Sequence, residues 1–279
     1  MNKEIISVIG LGIVGNAIYQ SLKNIGFTEN INLIGYDKYK NGGINSLDDI
    51  LISNILFLAL PTKYSHILCS FDKTDIIDTC DYLSKKNYTG IIIIKSTIEP
   101  ESSDNIADTF PNLSIIHSPE YLSSKTAYED FHNQKNIFLG KTQNCSETKI
   151  DELKCFFSKY YPNAEISTCT STESESMKIF CNSFYSVKVQ FFTELYLLTQ
   201  KNNTNYNKII ELMIKNGWIN EMHTKVPGTD GQISYGGLCF PKDTNALNNY
   251  MINYNSNNDI LSACINERNK MRDDNDNIK

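Results

Sequence analysis

Ile5-Ile6-Ser7-Val8-Ile9-Gly10-Leu11-Gly12-Ile13-Val14-Gly15 opens the chain as a short apolar strand, a glycine turn and the first turn of a helix. In the spacing Gly-x-Gly-x-x-Gly, Gly10 permits the tight turn and Gly12 leaves bare backbone where a pyrophosphate can approach. Gly15 lets the helix pack on the sheet. The helix N-terminus then offers unpaired N–H groups and a partial positive charge to the phosphates. Asp37 ends the next strand, placed to accept the ribose hydroxyls of an adenosine. A carboxylate there repels a 2′-phosphate, so NAD is favoured over NADP. The interval between Gly10 and Asp37 is longer than usual, and an extended turn around Gly26–Asn30 accounts for it.

Outward from this stretch, short apolar runs alternate with helical patterns. Residues 5–9, 31–36, 55–60, 91–94, 114–117 and 137–139 read as buried strands, and 14–25, 73–85 and 147–160 as amphipathic helices. Such alternation predicts parallel βαβ units. After Thr170 the pattern changes. A stretch without Gly or Pro from Glu173 to Lys201 places Met177, Phe180, Phe184, Val187, Phe191, Leu195 and Leu198 at helical spacing. Ser171 and Thr172 stand as its N-cap candidates. Further helices are expected at 206–216, 244–252 and 259–271, and the polar tail from Arg272 is expected to fray. The fold class is therefore α/β: a Rossmann-like doubly wound parallel sheet (residues 1–170), followed by an all-helical domain with one long central helix (171–279).

Composition narrows the function. With 41% hydrophobic and 21% charged residues, the chain reads as a soluble globular protein. A net charge of −6 without a Lys/Arg stripe argues against a nucleic-acid partner, and no apolar run is long enough for a membrane span. The eight cysteines include no C-x-x-C pair, so neither a disulfide framework nor a metal site is indicated. That usage, with no signal-peptide layout, suggests a cytoplasmic location. Only two arginines, Arg268 and Arg272, occur among 24 lysines. Anions upstream of Arg268 must therefore be held by lysine, backbone N–H groups or helix termini.

The chemistry-bearing stretch is Gly236-Gly237-Leu238-Cys239-Phe240-Pro241-Lys242-Asp243. It holds a thiol in a Gly-Gly approach, with charge close by, and a thiolate is favoured near a cation or a helix N-terminus. Three other motifs accompany it. Lys95-Ser96-Thr97-Ile98-Glu99-Pro100 and Ser118-Pro119-Glu120-Tyr121-Leu122 each follow a strand, and Glu175, Lys178 and Asn182 share one face of the long helix.

In this order the motifs strongly resemble the UDP-glucose/GDP-mannose dehydrogenase family of nucleotide-sugar 6-dehydrogenases, over nearly the whole chain. The resemblance implies a four-electron oxidation of a sugar primary alcohol to a carboxylate with two NAD⁺, UDP-glucose being the first-choice substrate. Cys239 would form a thiohemiacetal and then a thioester. Lys178 would stabilise oxyanion charge, Asn182 and Asp243 would orient the hydrolytic water, and Glu120 would act as general base. Thr97 would bond near the reacting hydroxyl. Ile13, Val14, Pro61, Thr62 and Thr97 would lie along the dinucleotide. Glu120, Tyr121, Leu122, Lys178, Asn182, Lys225, Gly236 and Gly237 would line the substrate. The long helix would form a homodimer interface. No metal is implied, and His66, His117, His132 and His223 show no catalytic pattern.

The chain also departs from the family pattern. Members continue into a third domain, whereas this sequence stops after the helices that follow Asp243. Ser124 stands where the family repeats a glutamate. Trp218-Ile219 stands where an Arg-Ile pair is usual, and Gly228–Ser234 is longer than the family's approach to the cysteine. Two other readings stay open. One is a two-electron dehydrogenase of the 3-hydroxyacid or 6-phosphogluconate type, which needs no cysteine. The other is an NAD-binding protein with impaired catalysis.

Overall fold

The structure, a computed structural model, describes residues 4–272 and 274. It divides into two compact units. The first is residues 1–62 with 73–178, and the second is residues 63–72 with 179–279. The division falls inside the long helix, between Lys178 and Ile179.

In chain order the first unit holds β1 (Ile6–Ile9), α1 (Ile13–Asn24), β2 (Leu33–Tyr36) and β3 (Ile55–Leu58). A small hairpin, β4 (Tyr64–Ser65) and β5 (Ser70–Phe71), then belongs to the second unit. The first unit resumes with α2 (Thr74–Lys85), β6 (Ile91–Ile94), α3 (Ser102–Thr109), β7 (Ser114–His117), α4 (Ala127–His132), β8 (Asn136–Lys141), α5 (Glu147–Tyr160) and β9 (Glu165–Thr170). The helix α6 (Ser171–Lys201) crosses the division, and α7 (Tyr206–Lys215), α8 (Phe240–Asn253) and α9 (Asp259–Met271) follow.

Seven strands form one sheet in the order β2-β1-β3-β6-β7-β8-β9. The chain leaves β1 to one side for β2 and returns to its other side for β3, so a switch point lies between β1 and β3. Four-residue strands suffice because both faces are covered. Residues Ile6, Val8, Ile55, Phe57, Ile91 and Ile93 enter one core, while Ile9, Leu56, Leu58, Ile92 and Ile94 enter the other. Period-two side chains that are apolar on both faces produce the near-continuous Ile/Leu runs of the sequence.

The Rossmann-like sheet and the helical region after it agree with expectation, with local corrections. The expected strand 31–36 begins at Leu33, because Asn30 turns with positive φ and Ile31 and Asn32 both bond back to Thr28. β3 stops at Leu58, two residues early. β8 is longer than expected and antiparallel to β7, against the expected all-parallel pattern. The strand β9 and the helices α3 and α4 carried too few apolar residues to be read. The cap of α6 is Thr170 rather than Ser171 or Thr172. Its hydroxyl accepts from Glu173 N at 3.2 Å, and the Glu173 carboxylate accepts from Thr170 N at 2.8 Å. This is a capping box. Ser171 instead donates to Asp104 at 2.6 Å.

The second unit is built on the later turns of α6. Ile179, Ala246, Leu247 and Leu261 pack with Tyr64 and Phe71 of the hairpin, and Phe192, Tyr206, Ile210 and Val226 form a separate cluster. Two expectations change here. α8 starts at Phe240, not Thr244, because Pro241 is tolerated in a first helical turn. Arg272 is not frayed but buried, while residues 273 and 275–279 of the expected tail lie outside the described residues.

Candidate active site

The dinucleotide end is built by sterics. A Cβ at Gly15 would stand 1.8 Å from the Gly10 carbonyl oxygen, and one at Gly10 would meet the Ala59 carbonyl oxygen at 2.5 Å. Both glycines are thus demanded by the close approach of turn, helix and β3. Gly12 differs, since a Cβ there would touch nothing. What its bare backbone keeps open is space in front of the turn, at the start of a helix with no side-chain cap and no acidic residue in its first turn. That combination suits an anion.

Asp37 ties this turn down. Its carboxylate accepts from Leu11 N at 2.8 Å and from Tyr39 N and Lys40 N at 2.9 Å each. Partial burial pulls the carboxyl upward, but these N–H groups outweigh it and hold it below the usual carboxylate range. Thr62 Oγ1 donates to the Thr97 carbonyl at 2.7 Å, and Ser96 Oγ to the Leu60 carbonyl at 2.6 Å. The loops after β3 and β6, which carry Pro61, Thr62 and Thr97, are therefore joined. Among the described residues no His/Cys/Asp/Glu cluster is arranged to hold a metal.

A second cluster in the same unit gathers Glu120, Tyr121, Leu122 and Lys178. Lys178 Nζ donates to the Glu120 carbonyl, lies 3.6 Å from its carboxylate and sits 4.7 Å from the centre of the Tyr121 ring. The other Glu120 carboxylate oxygen accepts from Leu122 N at 2.6 Å. Beneath them lies Lys95, to which the sequence motif assigns no role. Its ammonium reaches Ser118 Oγ and the Pro119 carbonyl, each at 3.3 Å. Burial pushes it down to about 8, with the Glu120 charge opposing and the Lys178 charge adding. Two lysines thus grip the successive carbonyls of Pro119 and Glu120.

Nor does the sequence assign a role to Glu175, which shares the helix face of Lys178. It is wholly buried, and its carboxylate accepts from Ser103 N at the start of α3 at 2.8 Å. Burial pushes it up to about 8. His117 is buried, held neutral by burial, and bonded to Ser174 Oγ at 2.9 Å.

The second unit carries the thiol. Cys239 is exposed and stands at the N-cap of α8, its carbonyl accepting from Asp243 N at 3.0 Å. Asp243 is fully buried between two donors. Asn182 Nδ2 and Lys242 Nζ each reach its carboxylate at 2.6 Å. Lys242 lies over the Phe71 ring at 4.4 Å, so the hairpin supports the cysteine's own helix. Lys225 is exposed and Gly237 turns with a φ of +80°. The space beside Gly236 is filled from within, since a Cβ there would meet the Arg272 guanidinium at 2.4 Å.

A doubly wound sheet with an open glycine turn at its switch point, and an acid closing β2, defines the class: an NAD-binding protein of the Rossmann type. The residues present fit that cofactor. Comparison with known proteins narrows the class. Family models for the UDP-glucose/GDP-mannose dehydrogenases match over the NAD binding domain at residues 45–157 and the central domain at residues 172–270. The chain belongs to the UDP-glucose/GDP-mannose dehydrogenase family.

A UDP-glucose 6-dehydrogenase of Campylobacter jejuni is 27% identical over 297 residues, covering 96% of this chain and 72% of that protein. One from Rickettsia prowazekii is 30% identical over 231 residues, covering 79% of this chain and 50% of that protein. Among solved structures, a UDP-glucose dehydrogenase from Pyrobaculum islandicum superposes with a TM-score of 0.80 at 18% identity, over 96% of this chain and 69% of that one. A 3-hydroxyisobutyrate dehydrogenase of Mycobacterium tuberculosis gives 0.72 at 14% identity, over 94% and 91%. At these identities both structures speak for the fold alone.

Proposed function

We propose that the protein oxidises a nucleotide sugar, UDP-glucose first, at C6 to the uronic acid through a covalent intermediate on Cys239. The observation that carries this reading is the second-unit cluster. An exposed thiol stands at a helix N-cap, and the acid one turn further on is held by Asn182. A two-electron oxidation of an alcohol has no use for that thiol.

Bound at the Gly10–Gly15 turn with Ile13, Val14, Asp37, Pro61, Thr62 and Thr97 beside it, NAD⁺ supplies a hydride acceptor. The Cys239 thiolate adds to the carbonyl carbon of the intermediate aldehyde, giving a thiohemiacetal. Loss of a second hydride leaves a thioester, and water cleaves it to the acid and the free thiol. Lys178, a cation against Glu120, stabilises the oxyanion of each addition. Glu120 takes the proton of the attacking water, and Asn182 with Asp243 orients that water. Thr97 bonds near the reacting hydroxyl, while Tyr121, Leu122, Lys225, Gly236 and Gly237 line the substrate.

In this reading residues 1–170 are the NAD-binding domain and 171–279 the helical one. A homodimer forms through α6, supported by its exposed apolar stripe. Eight cysteines, none in a disulfide, support a cytoplasmic setting. Among the described residues no helix is long and apolar enough to cross a membrane.

The test is a screen of UDP- and GDP-sugars with NADH counted against substrate consumed. Two NADH per sugar are expected, and Cys239→Ala should abolish release of the acid, with a loss of at least ~10³-fold. One NADH per substrate, or unchanged turnover in the variant, overturns the thiol route in favour of the two-electron chemistry that 3-hydroxyisobutyrate dehydrogenase, of similar fold, is named for.

A further inference from the structure

The chain has 24 lysines and two arginines, and both arginines are buried at one place. They stand on α9 and just past its end, against the segment that leads into Cys239. Arg272 Nη1 donates to the Ser234 carbonyl at 3.2 Å and reaches the Ile233 carbonyl at 3.4 Å, and Arg268 Nε donates to the Tyr235 carbonyl at 3.2 Å. Three successive carbonyls are thus held by two guanidinium groups. Each group is fixed in turn by carboxylates. Arg272 Nη2 bonds Asp230 at 2.6 Å, Arg272 Nε bonds Asp274 at 3.0 Å, and Arg268 also bonds Asp274.

From the other side, α6 completes the grip. Ser234 N donates to Thr193 Oγ1 at 3.1 Å, and Ser234 Oγ donates to Gln190 at 2.5 Å. Beyond Tyr235 the chain comes to the surface. Gly237, Leu238 and Cys239 are all exposed. The only residue between the anchored carbonyls and the exposed run is Gly236, whose missing side chain makes room for the Arg272 fork.

We propose that Arg268 and Arg272 are positioning residues for the Cys239 thiol: by fixing the Ile233–Tyr235 carbonyls they set the path of Gly236–Leu238, and so hold the thiol at the N-cap of α8. A lysine cannot do this. The work requires bonding carbonyls and carboxylates at once in one plane, and only the guanidinium offers such a fork. This explains why a chain otherwise stocked with lysine has arginine here. The inference rests on the reading of Cys239 as the nucleophile, but its test needs no nucleotide sugar.

The experiment is site-resolved alkylation of the full chain with iodoacetamide, following the Cys239 peptide by mass spectrometry across pH. Arg272→Lys keeps the charge and loses the fork, while Gly236→Ala drives a methyl group into the guanidinium. Losing alignment with the α8 N-terminus removes stabilisation of the thiolate. In both variants the Cys239 rate at pH 7 should therefore fall about three- to ten-fold and its pH midpoint should rise. Buried Cys264 should stay protected in the same samples. An unchanged or faster Cys239 rate overturns the proposal. So does exposure of Cys264 in step with the change at Cys239, since the arginines would then serve only the fold. Failure of the sugar screen with these alkylation shifts intact would fault the substrate reading and leave the positioning role standing.

Discussion

At the residue scale, the pair Lys95 and Glu175 shows how burial, rather than residue type, sets a charge. Both are quiet in the sequence, a lysine after a strand and a glutamate on a helix face. In the fold both are driven to about 8, from opposite directions. The Glu175 carboxyl, raised above its unfolded value, contributes stability that is complete below about 4.5 and lost as pH rises through about 8. Urea unfolding followed from pH 5 to pH 8 should therefore show a decline that Glu175→Gln lacks. The two curves should diverge by on the order of 3–5 kcal/mol across the window, and parallel curves would refute the assignment. Sequence could nominate Glu175 and Lys178 for one helix face, since spacing alone does that. It could not show that the glutamate meets the N-terminus of α3, because Ser103 lies far away in the chain.

At the element scale α6 inverts the usual amphipathic pattern. Its buried face is largely polar, with Ser174, Glu175, Lys178, Asn182, Ser186, Gln190 and Thr193 beside the apolar Ile179 and Phe192. Four of the seven apolar residues that announce the helix face outward instead, with Phe180 50%, Phe184 63%, Phe191 53% and Leu198 54% exposed. Periodicity located the helix correctly but says nothing of which stripe meets the protein. An outward stripe of this kind is what the proposed association surface requires. In the proposed homodimer each buried phenylalanine contributes about 1.5–3 kcal/mol. With two copies of each site, Phe184→Asp should weaken dimerisation on the order of 100-fold or more. Sedimentation at micromolar concentration should show a dimer become a monomer. A variant that sediments unchanged would remove α6 from the interface. The start of α8 belongs to this scale too. Read as a loop as far as Asp243, Phe240–Asp243 is already helix, so the cysteine gains the N-terminal field by geometry that the Gly-Gly prefix conceals.

At the scale of the whole molecule, NAD binding and stability should be linked. At 100 times its Kd, NAD⁺ should add about 2.7 kcal/mol to the unfolding free energy. Gly12→Asp, placed where a Cβ meets no protein atom and where the proposed site would hold the phosphates, should fold normally and lose that gain. Calorimetry with and without NAD⁺ checks both, and a variant still stabilised by NAD⁺ would remove the Gly12 turn from the site. The amino-acid sequence by itself determined the class of fold and the glycine turn and nominated the Cys239 thiol, because these depend on local periodicity, glycine spacing and contiguous motifs. Only the tertiary structure decided which face of α6 is buried, how Lys95 and Glu175 are charged, and that Arg268 and Arg272 stand behind the cysteine. Those properties come from desolvation and from contacts between residues distant in the chain, and no local pattern encodes them.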